Sequence, residues 1–141
     1  MKTNKQLIEN LVGFVGKNQL TVLKSLMRGE EGEWFKAKLE EVGSVIATMP
    51  KTYEQDGKGD EAIVYLHYFT GGCDWWVTEK DAGSSDDKPG TGQEQAFGLV
   101  DLGYGAELGY ISLVEVLENG AEIDLHWTPI TLAEVKAKRD K

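Results

Sequence analysis

The chain has 141 residues and a mass of 15.6 kDa, a size typical of one domain with a substantial core. Its composition, 40% hydrophobic and 28% charged, is typical of a soluble globular protein, and its apolar runs are far too short to span a membrane. The formal net charge is −9: the first 51 residues carry eight basic and six acidic side chains, whereas residues 52–141 carry seven and eighteen. This acidity disfavours direct binding to duplex nucleic acid and favours a basic protein partner, with a role in solubility alone as the alternative.

Cellular location is indicated by the N-terminus and by cysteine usage. The first residues contain lysines but no apolar segment of the signal-peptide type. Cys73 is the only cysteine, so no internal disulfide can form. Both observations predict a cytoplasmic protein.

The chain begins with three helical patterns, so residues 1–51 are predicted to form a helical segment that precedes the strands. In each pattern apolar residues recur at intervals of three and four, which indicates one buried helix face. Thr3 and Gln6 have the form of a capping box before the first pattern, and Pro50 closes the third. The apolar positions are Leu7, Ile8, Leu11, Val12 and Val15, then Leu20, Leu23, Leu26 and Met27, then Phe35, Leu39, Val42, Ile46 and Met49.

The period then changes to that of strands. Strands are expected at residues 62–69, 73–79, 95–102, 107–111 and 121–127. The loop at residues 80–93 is predicted to be mobile because Gly, Ser and Asp dominate it, and capping boxes at Ser112 and Thr131 begin two short helices. The whole chain is therefore predicted to be a single α+β domain, in which N-terminal helices pack on a mostly antiparallel sheet of about five strands, followed by short C-terminal helices.

Residues 96–113 are the most informative segment of the chain about local structure. Four glycines interrupt an apolar and aromatic run there, at Gly98, Gly103, Gly105 and Gly109. Glycine adopts a positive φ freely and lets another backbone approach closely. The run therefore predicts two strands joined by a glycine-bearing turn.

Five polar residues at the predicted strand ends are candidate site residues: Glu79, Asp101, Glu107, Asp124 and His126. Within a strand, Asp124 and His126 would share one face of the sheet. A cluster of these groups would suit a divalent cation as cofactor, or would serve as an acid–base pair. The alternative is structural: the acids accept backbone amides at turns, and His126 lies beside Trp127 at a strand end.

Three tryptophans, Trp75, Trp76 and Trp127, are candidates for an exposed aromatic binding surface. Because adjacent strand residues face opposite ways, only one of Trp75 and Trp76 can be core if one side of the sheet is covered. An open Trp76 would indicate a binding surface. The alternative is that the tryptophans belong to the core.

Four motifs carry a resemblance to a known family. They are Trp-Val-Thr-Glu at residues 76–79, Phe-Gly-Leu-Val-Asp-Leu-Gly at 97–103, Glu-Leu-Gly-Tyr-Ile-Ser-Leu at 107–113 and Asp-Leu-His-Trp at 124–127. In order and spacing they resemble a family of small bacterial proteins known as a domain of unknown function, family 2958, found on plasmids, phages and integrative elements. The similarity covers about residues 61–136, an α+β module, and implies a cytoplasmic protein of a mobile element without an established activity.

The function expected from these observations is that of a non-enzymatic, acidic accessory protein of a mobile element. It would bind another protein, such as a component of a host defence or DNA-processing system. The alternative is a metal-dependent hydrolase or nuclease that uses the strand-borne acids and requires at least three of them around one point.

Overall fold

The computed structural model describes residues 2–82 and 93–139, and within them the chain forms the predicted α+β fold. The predicted mobile loop falls mainly on residues 83–92, which lie outside the described residues. The helices are α1 (Asn4–Glu9), α2 (Lys17–Leu26), α3 (Gly32–Thr48), α4 (Leu113–Glu118) and α5 (Leu132–Arg139), with a 3₁₀ turn at Gly59–Glu61. The strands are β1 (Ile63–Val64), β2 (Leu66–Thr70), β3 (Cys73–Glu79), β4 (Ala96–Asp101), β5 (Ala106–Ile111), β6 (Glu122–Ile123) and β7 (Ile130–Thr131).

The helix ends follow the capping signals of the sequence. The Thr3 hydroxyl accepts the Gln6 amide at 3.1 Å, and the Gln6 side chain accepts the Thr3 amide at 2.9 Å, which confirms the first capping box. Thr131 and Glu134 form the same reciprocal pair at the start of α5, whereas at the start of α4 the Ser112 hydroxyl accepts the Glu115 amide without the return bond. The first helix is shorter than predicted: it ends at Glu9, and the apolar residues that follow lie in a turn.

The main sheet has the strand order β5-β4-β3-β2-β6, and every neighbouring pair in it is antiparallel. The predicted strand at residues 62–69 is wrong in one respect: it is divided at Tyr65 into two strands that belong to different sheets. The first part, β1, pairs with β7 in a separate two-stranded sheet, while β2 enters the main sheet. The predicted strand at residues 121–127 is reduced to the two residues of β6.

Two apolar clusters lie on the two faces of this sheet. The N-terminal helices and α4 cover one face, where Leu39 of α3 and Tyr68 of β2 are completely buried. The other face packs against α5 and the β1–β7 pair through Trp76, Leu99 and Leu132. The alternation predicted for β3 is confirmed, since Trp75 and Val77 belong to the helix-side cluster and Trp76 to the other.

Two different constraints explain glycine at three positions of the predicted glycine-rich pair of strands. A Cβ on Gly98 would lie 2.0 Å from the carbonyl oxygen of Trp76, so β3 and β4 approach closely only because Gly98 has no side chain. Gly103 and Gly105, in the turn between β4 and β5, have φ values of 101° and 115°.

Among the described residues, no helix has the length and apolar character needed to cross a membrane.

Candidate functional site

Two of the predicted site residues hold turns in place. Glu79 is 5% exposed at the end of β3, and it accepts the amide of Tyr53, whose left-handed φ of 77° is rare for a bulky residue. Asp101, at the end of β4, accepts the Gly103 amide at 2.8 Å and pairs with the Arg139 guanidinium. The Gly103 amide, and after it Arg139, hold the pKa of the Asp101 carboxyl below its usual value, because both favour the ionised form. In both cases the carboxylate accepts a backbone amide, as the structural interpretation of these acids requires.

Asp124 and His126 lie in a turn, so the prediction that they share a strand face is wrong. β6 ends at Ile123, and one oxygen of Asp124 accepts the His126 amide at 2.9 Å. An aspartate that bonds the amide two residues further on closes a turn in this way. The side chains then contact different groups: Asp124 faces His67, and the ring of His126 lies 5.8 Å from that of Trp34.

The predicted acids are not gathered into one cluster in the described part of the chain. The Glu107 side chain is exposed on β5 and makes no hydrogen bond or ion pair with residues 2–82 or 93–139, so the structural role expected of the acids is wrong for this residue. The same residues contain no group of three His, Cys, Asp or Glu side chains that could hold a metal ion. The geometry that a metal-dependent hydrolase or nuclease needs is therefore not met by the described residues.

The three predicted surface tryptophans are largely covered. Trp76 is 7% exposed within the cluster under α5, so the exposed Trp76 that would have indicated a binding surface is not observed, and the alternative of a core position holds for this residue. Trp75 packs against the helix-side core, and the Trp127 indole donates to the carbonyl of Val64 at 3.0 Å. The exposed tryptophan is Trp34 on α3, at 46%. It lies outside the apolar stripe by which the sequence identified this helix.

An unpredicted polar cluster surrounds His67 on the α5 side of the sheet. Its Nε2 lies 2.8 Å from the Asp74 carboxylate, and its Nδ1 lies 3.0 Å from that of Asp124. An ionised carboxylate can only accept, so each of these hydrogen bonds needs a proton on the ring nitrogen that makes it. The ring also stacks on Trp76, with 5.4 Å between centroids and 10° between planes, and lies 5.2 Å from Trp127. His67 thus joins β2, β3 and the turn after β6.

This cluster has a positioning effect. Both ring nitrogens of His67 are engaged, and through Asp124 the ring fixes the turn that carries His126. The partners of His67 depend on strand register and on a segment 57 residues away. Local periodicity carries no signal for either.

An open cleft of about 750 Å³ lies where the N-terminus of α3 meets the turn after β6, and we call it the Trp34 cleft. The Trp34 ring stands edge-on against Phe35, with 4.9 Å between centroids and 87° between planes, and His126 provides a second ring. Phe35 and Leu125 contribute apolar surface, and three glutamates contribute negative charge. The lining residues are Glu30, Glu31, Glu33, Trp34, Phe35, Leu125 and His126.

Gly32 fixes the corner that presents the glutamates. It is buried between Glu31 and Glu33, and a Cβ on it would lie 2.3 Å from the carbonyl oxygen of Met27. Its amide closes the corner by donating to the Gly29 carbonyl at 3.1 Å. The close passage of α3 over the end of α2 therefore requires glycine at this position.

The charge of the Trp34 cleft is only partly neutralised. Glu33 pairs with Lys36 at 3.3 Å, whereas Glu30 and Glu31 form no ion pair with the residues that the structure describes. The dipole of α3 accounts for an acid in its first turn, but it does not account for an exposed indole ring. Lys38 Nζ lies 5.8 Å from the centre of the Trp34 ring, so this ring already contacts a cation of its own chain.

Comparisons with protein-family models, with curated proteins and with solved structures found no match. The resemblance of residues 61–136 to family 2958 therefore stays a prediction.

Proposed function

We propose that this protein is a non-enzymatic interaction module that binds a basic segment of a partner protein in the Trp34 cleft. The observation that carries the proposal is the exposed ring of Trp34 beside Glu30 and Glu31, which have no ion-pair partner in the described residues. An indole face and carboxylates together suit the side chain of arginine or lysine. The cation interacts with the ring and the acids, and the methylene groups lie against apolar surface.

Long-range charge supports the same type of partner. The net charge of −9 attracts a basic segment from a distance and speeds its encounter with the protein. The clustered glutamates lie in the near-neutral N-terminal part of the chain and not in the acidic residues 52–141. The overall charge would therefore govern the rate at which the basic segment meets the protein, while the Trp34 cleft would determine where the segment binds.

The biological setting that we propose follows the sequence resemblance. The protein would be a cytoplasmic accessory factor of a plasmid or phage, and its partner a basic protein of a host defence or DNA-processing system. Such proteins carry exposed lysine- and arginine-rich segments because they contact nucleic acid.

The test measures the affinity of an oligo-arginine peptide for pairs of variants that carry the same net charge. Glu30→Gln/Glu31→Gln alters the cleft, whereas Glu40→Gln/Glu118→Gln removes two exposed acids elsewhere. We expect the cleft pair to weaken binding about threefold to tenfold, since each exposed ion pair contributes about 0.2–1 kcal/mol. Trp34→Ala should have an effect of similar size, with Tyr104→Ala as its control because Tyr104 is 96% exposed in the β4–β5 turn.

Binding is measured by calorimetry at two salt concentrations, so that non-specific attraction is separated from docking in the cleft. Equal losses for the two glutamine pairs would overturn the proposal, because charge alone would then explain binding. So would unchanged affinity in Trp34→Ala.

A further inference from the structure

The edge strand β5 has features that its own fold does not explain. It forms one end of the sheet and pairs with β4 alone among the described strands. Leu108 is 48% exposed and Tyr110 is 55% exposed on one face, where the Tyr110 ring also packs on Phe97 and its hydroxyl hydrogen-bonds that of Tyr53 at 2.5 Å. Neither proline nor lysine protects this edge, although exposed edges are usually protected by such residues.

The second observation is that a glycine, Gly109, lies in the middle of β5. A glycine inside a strand weakens it, and it usually marks a place where another backbone or a ligand approaches closely. Its neighbour across the pair, Gly98, is explained by the contact with the Trp76 carbonyl. A Cβ on Gly109, in contrast, would meet nothing within 4 Å. The described part of the chain therefore gives no reason for glycine at this position.

From these two observations we infer that β5 pairs with β5 of a second copy of this chain, antiparallel and centred on Gly109, to form a two-fold symmetric dimer with one continuous sheet.

The pattern of β5 is complementary to itself about this centre. With the axis perpendicular to the sheet, Gly109 faces Gly109 of the second copy and the two backbones can approach closely. Leu108 then lies opposite Tyr110 of the second copy on one face, and the reverse pair lies beside it, as an isologous interface requires. Cross-strand pairs of an aromatic and an aliphatic side chain stabilise sheets.

Charge agrees with this register. Glu107 is the only charged residue of β5, and in this pairing it lies opposite Ile111 of the second copy. The two Glu107 side chains are then four residues apart along the strands, about 13 Å, which exceeds the screening length of about 8 Å at physiological salt. A net charge of −9 on each copy still opposes association, so added salt should strengthen the dimer.

The test is the molar mass of the full chain in solution, measured by sedimentation equilibrium from micromolar to millimolar concentration at low and high salt. We expect a monomer–dimer equilibrium that shifts towards the dimer as salt is added. Leu108→Lys should raise the dissociation constant of the dimer about tenfold or more, because each dimer then holds two lysines at its centre. Leu102→Lys is the matched control, since Leu102 is 51% exposed in the β4–β5 turn and the change in charge is the same.

Gly109→Val tests the centre separately, because the monomer has room for the new side chain and should keep its fold by circular dichroism. It should also raise the dissociation constant. A chain that stays monomeric throughout, assemblies larger than dimers, or equal effects of the two lysine variants would overturn the inference. The Trp34 cleft lies beyond β6 at the opposite edge of the sheet, so peptide binding and dimer formation can fail independently.

Discussion

Replacing His67 with leucine should destabilise the protein by about 2–4 kcal/mol. The variant loses the hydrogen bonds to Asp74 and Asp124, at 2.8 and 3.0 Å, and a hydrogen bond to a charged group contributes about 1.5–3 kcal/mol. The side chains of Asp74 and Asp124 are 35% and 26% exposed, so water can replace part of each hydrogen bond in the variant. We therefore expect each lost bond to cost about 1 kcal/mol of unfolding free energy. Loss of the stacked ring on Trp76 adds about 0.5–1.5 kcal/mol.

Urea unfolding at neutral pH, followed by far-ultraviolet circular dichroism, measures this loss. In the His67→Leu background, adding Asp74→Asn and Asp124→Asn should restore about half of the lost free energy, because two carboxylates without a donor no longer face each other. His126→Leu is the matched control, and as an exposed position it should change stability by less than about 0.5 kcal/mol. A loss below about 1 kcal/mol in His67→Leu, or no recovery in the triple variant, would refute the reasoning.

Three further changes test the fold. Leu39→Ala should lower the free energy of unfolding by about 2–5 kcal/mol in a denaturant titration, because Leu39 is fully buried; a loss under about 1 kcal/mol would place it at a surface. Tyr68→Phe should cost about 1–3 kcal/mol, since the buried hydroxyl donates to a backbone carbonyl that would be left unpaired; equal stability would show that water replaces it. The pKa of Asp101 is lowered in the folded state, by the Gly103 amide and then by Arg139, so its contribution to stability is present above the ordinary value of 3.8 and is lost as the pH falls through the lower folded value. The difference in stability between wild type and Asp101→Asn should therefore be largest near neutral pH and should narrow in acid, and a difference that does not change with pH would contradict this account.

Local signals predicted much of the fold because the corresponding contacts lie within a few residues. The stripe through Leu39 and the stop at Pro50 predicted α3, and the capping boxes at Thr3, Ser112 and Thr131 placed three helix starts. The alternation of β3 assigned its side chains to the correct faces. In each case the sequence period and the burial of one face agree.

The errors arise where tertiary contacts override the local pattern. The β-rich run at residues 62–69 divides at Tyr65 because β1 finds its partner in β7, far along the chain. Residues 124–127 alternate as a strand would, yet Asp124 bonds the amide of His126 and closes a turn instead. Trp76 is covered by α5, whose position on the sheet cannot be read from its own sequence.

The candidate site could not be predicted because it joins distant segments. Trp34 lies at the start of α3, and His126 lies in the turn after β6, so that only the packed chain brings their rings to 5.8 Å. The cluster of glutamates at residues 30–33 was visible in the sequence, but an acidic run before a helix is ordinary helix chemistry. An exposed indole beside it becomes informative only when its burial is known.

The most direct test of docking in the Trp34 cleft is the response of the four tryptophan indole N–H signals to an oligo-arginine peptide, followed by nuclear magnetic resonance. The chain contains one exposed tryptophan, Trp34, while Trp75, Trp76 and Trp127 are partly or fully covered and serve as internal controls. We expect the Trp34 indole and the amides of Glu30 and Glu31 to shift progressively with peptide, and the other three indole signals to stay in place. Shifts that spread over the acidic residues of 52–141 while the Trp34 indole stays unchanged would contradict the central claim.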